Sequence, residues 1–196
     1  MKMRKTYRRD EQGALHYREA WRHKTLFVTH EGKVGTKGRE KVRGVKGPTW
    51  PNNPTASEQM DAFLEQAAAD GYRELADDEL GWVALQLWTE PNDPLEDWVL
   101  SDGAEQLNDL VGRLGLGHYD GYDIGGTPPA ETGLEGTRIN LFCRVVDCKL
   151  GVRALRAFGR EHELTQRTMI ASREPGGEQE YTLAWTPTKK IKDFTF

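Results

Sequence analysis

The chain has 196 residues, enough for one large domain or two small ones with a real core. Hydrophobic residues make up 37% and charged residues 30%, ordinary for a soluble protein and on the polar side. The net charge of −4 conceals an asymmetry, because residues 1–50 carry 14 Lys/Arg against 5 Asp/Glu, a net of +9, while the remainder carries 13 against 26, a net of −13. Such a split points to a polyanion-binding face or to two segments that attract each other.

No run of about 18 apolar residues offers a membrane span. The basic start MKMRKTYRRD has no apolar core of a secretory signal, so a cytoplasmic protein is expected. Cys143 and Cys148, five apart, read as buried thiols of a reducing compartment rather than a disulfide framework.

In chain order, residues 1–12 are polar and basic and predict fraying, with a short edge strand around Lys5–Arg9. Loose alternation from Gly13 to Lys24 predicts a half-exposed strand, Thr25–His30 a second and Glu40–Val45 a third, together a small antiparallel meander. The last two flank the stretch TLFVTHEGKVGTKGREKVRGV, residues 25–45, where Gly32, Gly35 and Gly38 recur every three positions among Lys33, Lys37, Arg39, Lys41 and Arg43. Glycines permit positive φ or close backbone approach, and cations around such a turn can meet an anion. GPTWPNNP, residues 47–54, is a loop by its prolines. Thr55 and Glu58 have capping-box spacing, Met60, Phe63, Leu64, Ala67 and Ala68 follow at helical spacing, and Gly71 closes the helix.

The acidic run ELADDE, residues 74–79, reads as a linker and places a boundary near residue 79, giving domains 1–79 and 80–196. Gly81–Thr89 is a buried strand and residues 90–97 a loop. Asp102 and Glu105 offer a second capping box before a helix with Leu107, Leu110, Val111 and Leu114, ended by Gly115. His118–Ile124 is a short strand and Gly125–Gly136 a hairpin loop. Thr137–Val146 is the strongest strand, with Ile139, Leu141, Cys143 and Val145 on one face. Cys148–Arg160 forms a helix with Leu150, Ala154, Leu155 and Phe158 on one side. Gln166–Arg173 and Glu180–Thr186 are strands joined by an EPGG turn, and the tail docks by its two phenylalanines. The fold class is α+β, an antiparallel sheet with one helix and then a second half whose first six elements have the order of a ferredoxin-like sandwich with an antiparallel sheet.

The segments FVTHEGKVGTKG, REKVRGV and AFLEQAAADGYREL fall in the order of a glycine-rich strand end, a basic strand and a helix closing on Gly-Tyr. Over residues 13–75 the chain resembles the WGR domain, with Gly32, Gly35, Gly38, Val34, Thr36 and the Gly71-Tyr72 pair on the pattern. Glu31 stands in place of the motif tryptophan and Lys33 in place of its arginine. WGR domains occur beside poly(ADP-ribose) polymerase catalytic domains, where they bind DNA at strand breaks, and in bacterial regulators. The resemblance implies the fold; it implies break recognition poorly, since Glu31 cannot stack on a nucleotide and Lys33 lacks a planar two-pronged guanidinium.

The candidate nucleic-acid-binding residues are Lys33, Lys37, Arg39, Lys41, Arg43 and Lys46, with Trp21 and Trp50 on flanking segments as stacking candidates or packing residues. Arg39, Lys41 and Arg43 share one strand face at period two. His16, His23 and His30 recur every seven residues without metal-site logic, and Asp120 and Asp123 read as turn aspartates or a cation site. No GxSxG, P-loop or dinucleotide fingerprint is present, so no enzyme, metal or cofactor is expected. The expectation is a non-enzymatic bacterial-type protein that binds DNA or another polyanion weakly. Its alternatives are a protein-interaction module whose basic half docks on its acidic half, or a small-ligand sensor in the second half.

Overall fold

Alternation in the first fifty residues becomes four strands, β1 (Arg4–Arg9), β2 (Leu15–His23), β3 (Leu26–Lys33) and β4 (Arg39–Gly44), paired antiparallel in that order. The computed structural model describes residues 1–90, 93–126, 136–176 and 180–194. It divides into two compact units, one of Met1–Ala76 with Arg113–Gly115 and one of Asp77–Gly112 with Leu116–Phe196. The whole is α+β, a four-strand antiparallel sheet followed by a five-strand antiparallel sheet with three helices.

In the first unit the register places Arg18 of β2 opposite Glu31 of β3, and Glu31 opposite Arg39 of β4. β4 is the outer strand, exposed along nearly its whole length. The other edge is better secured than the polar N-terminus predicts. Tyr7 exchanges two backbone hydrogen bonds with Arg73, at 2.7 and 3.0 Å, and Arg4 pairs with Glu74, so β1 is held rather than frayed.

Helix α1 (Ala56–Ala69) lays its apolar stripe on the sheet, where Ala56 and Met60 meet Ala20, Phe27 and Val45, with Phe63 and Leu64 beside them. Both ends of α1 form as the sequence implies. Glu58 N–H donates to Thr55 Oγ1 at 3.2 Å, and Thr55 N–H donates to the Glu58 carboxylate at 2.7 Å. At the far end Gly71 N–H donates to Ala68 O and Tyr72 N–H to Ala67 O, with Gly71 at φ 78°, a Schellman closure.

In the second unit β5 (Gly81–Thr89) is central to a sheet ordered β6-β7-β5-β8-β9, with β6 (Gly117–Ile124), β7 (Thr137–Val145), β8 (Thr168–Arg173) and β9 (Thr182–Trp185). Helix α4 (Cys148–Glu161) packs so closely that a Cβ on Gly151 would meet Val83 at 2.8 Å. Ile139, Leu141, Cys143 and Val145 are all buried on one face. From the tail, Ile191 is buried against Trp88 and Met169, with Phe194 beside it; Phe196 lies outside the described residues.

The expected loop at residues 90–97 and the capping box at Asp102 are corrected. Helix begins earlier, with α2 (Leu95–Trp98), a π-helical turn over Val99–Gly103 and α3 (Ala104–Arg113) in succession. Asp93 is the acidic residue at its start, accepting the Leu95 N–H at 3.0 Å, so Asp102 sits within helix rather than at its cap. Pro94 is the N-cap of α2, where a missing N–H costs no helical hydrogen bond, so this proline marks the start of helix rather than a loop. Most of the expected 125–136 loop, and Gly177 of the EPGG turn, lie outside the described residues. Among the described residues no helix is long and apolar enough to cross a membrane.

Met60→Ala removes a side chain from the α1–sheet core and is expected to cost about 2–4 kcal/mol, whereas Thr55→Ala removes only the cap and is expected to cost about 1 kcal/mol. Urea denaturation followed by circular dichroism orders the two, and an equal or reversed ranking would contradict this packing.

Candidate nucleic-acid interface

The three motif glycines have separate physical reasons. Gly35 adopts φ 83° as the third residue of a turn closed by Thr36 N–H donating to Lys33 O at 3.1 Å, the position of a type II turn that favours glycine. Gly38 is needed for space, since a Cβ there would lie 2.3 Å from Tyr17 Oη, 2.5 Å from Glu31 O and 2.5 Å from His30 Nε2. Gly32 faces it, and its own Cβ would come within 2.9 Å of the Gly38 Cα.

Beneath this turn lies a buried polar chain. His30 Nε2 is 3.0 Å from Tyr17 Oη, His30 Nδ1 is 2.7 Å from Glu19 Oε1, and Lys5 Nζ is 2.8 Å from Glu19 Oε2. The Glu19 and His30 side chains are each only 4% exposed. Burial, with Glu19 close by, pushes the Tyr17 hydroxyl up to about 12, so Tyr17 is a neutral donor or acceptor at ordinary pH. His30 is therefore a packing and hydrogen-bonding residue of the first sheet. His16 pairs with Asp10 at 2.9 Å and His23 is exposed at the end of β2.

On the helix-covered face, Glu31 accepts from Lys41 Nζ at 3.0 Å and lies 3.3 Å from Arg18 Nε. The Lys41 hydrogen bond is the main reason the Glu31 carboxyl is held below the usual glutamate range. Arg18 also grips Asp70 at the end of α1, at 2.5 Å, and its guanidinium stands 4.5 Å from the centre of the Tyr72 ring. Glu31 and Asp70 together thus offset the charges of Arg18 and Lys41.

The candidate cations divide accordingly. Lys33 and Lys37 are exposed on the turn, Arg39, Lys41 and Arg43 are exposed along β4, and Lys46 is exposed just after it. Pairing of Arg43 with Phe27 and of Lys41 with Thr29 puts both on the helix-covered face. Trp21 pairs with Val28 on the opposite face, away from Arg18, Lys41 and Arg43. Trp50 lies directly over Gly44, where a Cβ would meet its ring at 2.3 Å, and is half-buried as a packing residue.

In the second unit, Asp123 accepts from Asn140 Nδ2 at 2.5 Å, and Asp120 lies 3.7 Å from both His118 Nε2 and Arg144 Nε. Cys143 and Cys148 are free and buried, and burial pushes both thiols up to about 12, leaving them unreactive.

No protein-family model, curated protein or solved structure matches this chain.

Two clusters have no counterpart in the sequence reading. Arg18 joins β3 to α1, and its signal was a long cation at a strand position of core-facing parity, two residues before buried Ala20. In the second unit Arg144 stacks 3.8 Å from the centre of the Trp82 ring and Arg173 approaches it at 5.5 Å, from three different strands. No local spacing could have joined those.

Gly38→Ala is expected to lower the melting temperature by several degrees, because its Cβ collides with backbone as well as side chains, a penalty of about 1–3 kcal/mol. Gly47→Ala, whose Cβ has only Val45 O at 3.9 Å, is the neutral control. Carboxyl NMR titration reads the Glu31 bridge. Its folded midpoint lies below its unfolded one, so the bridge stabilises above the ordinary glutamate pKa and is lost as pH falls through the lowered value. Lys41→Ala moves that midpoint upward; an unmoved midpoint would remove Lys41 as the cause.

Proposed function

We propose that this is a non-enzymatic protein whose first unit is a WGR-like module that binds DNA or another polyanion weakly. The observation that carries the reading is the exposed basic margin formed by the glycine turn and the outer strand. Lys33, Lys37, Arg39, Arg43 and Lys46 are exposed there, and none forms an ion pair among the described residues. Order along the first unit adds support: a strand running into a turn with Gly32, Gly35 and Gly38, a basic strand, then a helix closed by Gly71-Tyr72. For the second unit, the spatial order β6-β7-β5-β8 with intervening helices supports a ferredoxin-like reading, which by itself assigns no activity.

Weak binding follows from Glu31. It holds Lys41 and Arg18 in internal ion pairs and adds a carboxylate to the surface a phosphate would approach. Trp21 lies on the opposite face and the Trp50 ring is packed on Gly44, so phosphate contacts dominate and sequence preference is slight.

Fluorescence anisotropy with nicked, blunt and single-stranded DNA across salt tests this. Each cation that meets a phosphate steepens the log–log salt dependence by about 0.9 on duplex DNA, so Lys37→Ala is expected to flatten it by about that much. Glu31→Gln is expected to tighten binding by freeing Lys41 and removing a carboxylate from the surface, Arg18 staying on Asp70. Absence of salt-dependent binding at low ionic strength would sink the proposal.

A further inference from the structure

Between α1 and the sheet runs an open groove of ≈ 550 Å³, inside the roughly 300–1,000 Å³ range of small-molecule sites. Its apolar wall comes from Phe27 of β3 and Phe63 of α1, the first buried and the second half-buried. Lys41 and Arg43 stand along its β4 side, and Gln59 anchors its helix side by donating to the carbonyls of Gly44 and Pro54, both at 3.1 Å.

The charges of this groove are unequal in availability. Lys41 and Arg18 share Glu31, and the Glu58 carboxylate is occupied by the Thr55 N–H and hydroxyl. Arg43 forms no ion pair among the described residues. The groove therefore sets one available guanidinium beside an aromatic wall. Two carboxylates on its rim oppose a chain of repeated negative charge, whereas a single anionic group can settle on Arg43 without facing both.

We propose that the groove between α1 and β3–β4 binds a small amphipathic anion with a single anionic head group, its aromatic or branched apolar body against Phe27 and Phe63 and its carboxylate or phosphate on Arg43. This site shares Arg43 with the polyanion-binding margin and differs from it in leaving out Lys33, Lys37 and Lys46, none of which lines the groove.

Isothermal titration calorimetry on the full chain tests it with phenylpropionate, phenyl phosphate, uncharged phenylpropanol and inorganic phosphate as probes. Saturable binding is expected for one or both aryl anions, with phenylpropanol and inorganic phosphate each much weaker. The stronger aryl anion identifies the head group. Arg43→Gln, at an exposed position, is expected to weaken it about tenfold, the loss of a charge-assisted contact. Ala62→Trp, an exposed position on the helix wall, fills the groove and abolishes binding. Lys37→Ala leaves the aryl anion unaffected while weakening DNA, which separates this site from the polyanion reading. The proposal is overturned if neither aryl anion saturates, if Arg43→Gln binds like the parent chain, if inorganic phosphate binds as tightly as the aryl anions, or if Lys37→Ala weakens both ligands equally.

Discussion

Arg18 is the contact on which the first unit's working face depends. One guanidinium reaches Glu31 on the neighbouring strand, Asp70 at the end of α1 and the face of Tyr72 just beyond it. It thereby fixes the far end of the helix relative to the sheet and sets the width of the groove between them. Its side chain is 24% exposed, so these ion pairs are partly screened, and their value lies more in geometry than in net stability. The same contact shapes the electrostatics, because Glu31 and Asp70 together offset the charges of Arg18 and Lys41 while leaving the turn and outer strand basic.

The glycine turn has a related logic. Gly38 and Gly32 make room for Tyr17 and His30, and Gly35 supplies a backbone angle. All three requirements are internal to the fold and none involves a ligand. The cations that remain exposed, Lys33 and Lys37 above all, stand on the part of the turn that the buried Tyr17–His30–Glu19–Lys5 chain holds in place.

Local signals were legible in the sequence because they depend on residues close in the chain. The Thr55–Glu58 capping box, the Gly71 closure and the inward face of β7 each rest on a spacing of a few residues. Asp102 misled because a carboxylate before an apolar run looks like a cap even when helix already precedes it; the start lies at Pro94, with Asp93 accepting the Leu95 N–H. The candidate site was legible only in part. Parity correctly put Arg39, Lys41 and Arg43 on one face, yet it could not show that the face is shared with α1, that Lys41 is neutralised by Glu31, or that Trp21 points the other way. Those facts depend on strand register and on contacts spanning about fifty residues, as between Arg18 and Asp70.

The central claim is that polyanion binding, where it occurs, belongs to the turn and outer strand of the first unit. The most direct measurement is a backbone NMR titration of the full chain with a short DNA duplex at low and at moderate salt. The account predicts shift changes concentrated over residues 31–46, fading as salt rises. Changes confined to residues beyond 77, or changes over 31–46 that are indifferent to salt, would contradict it.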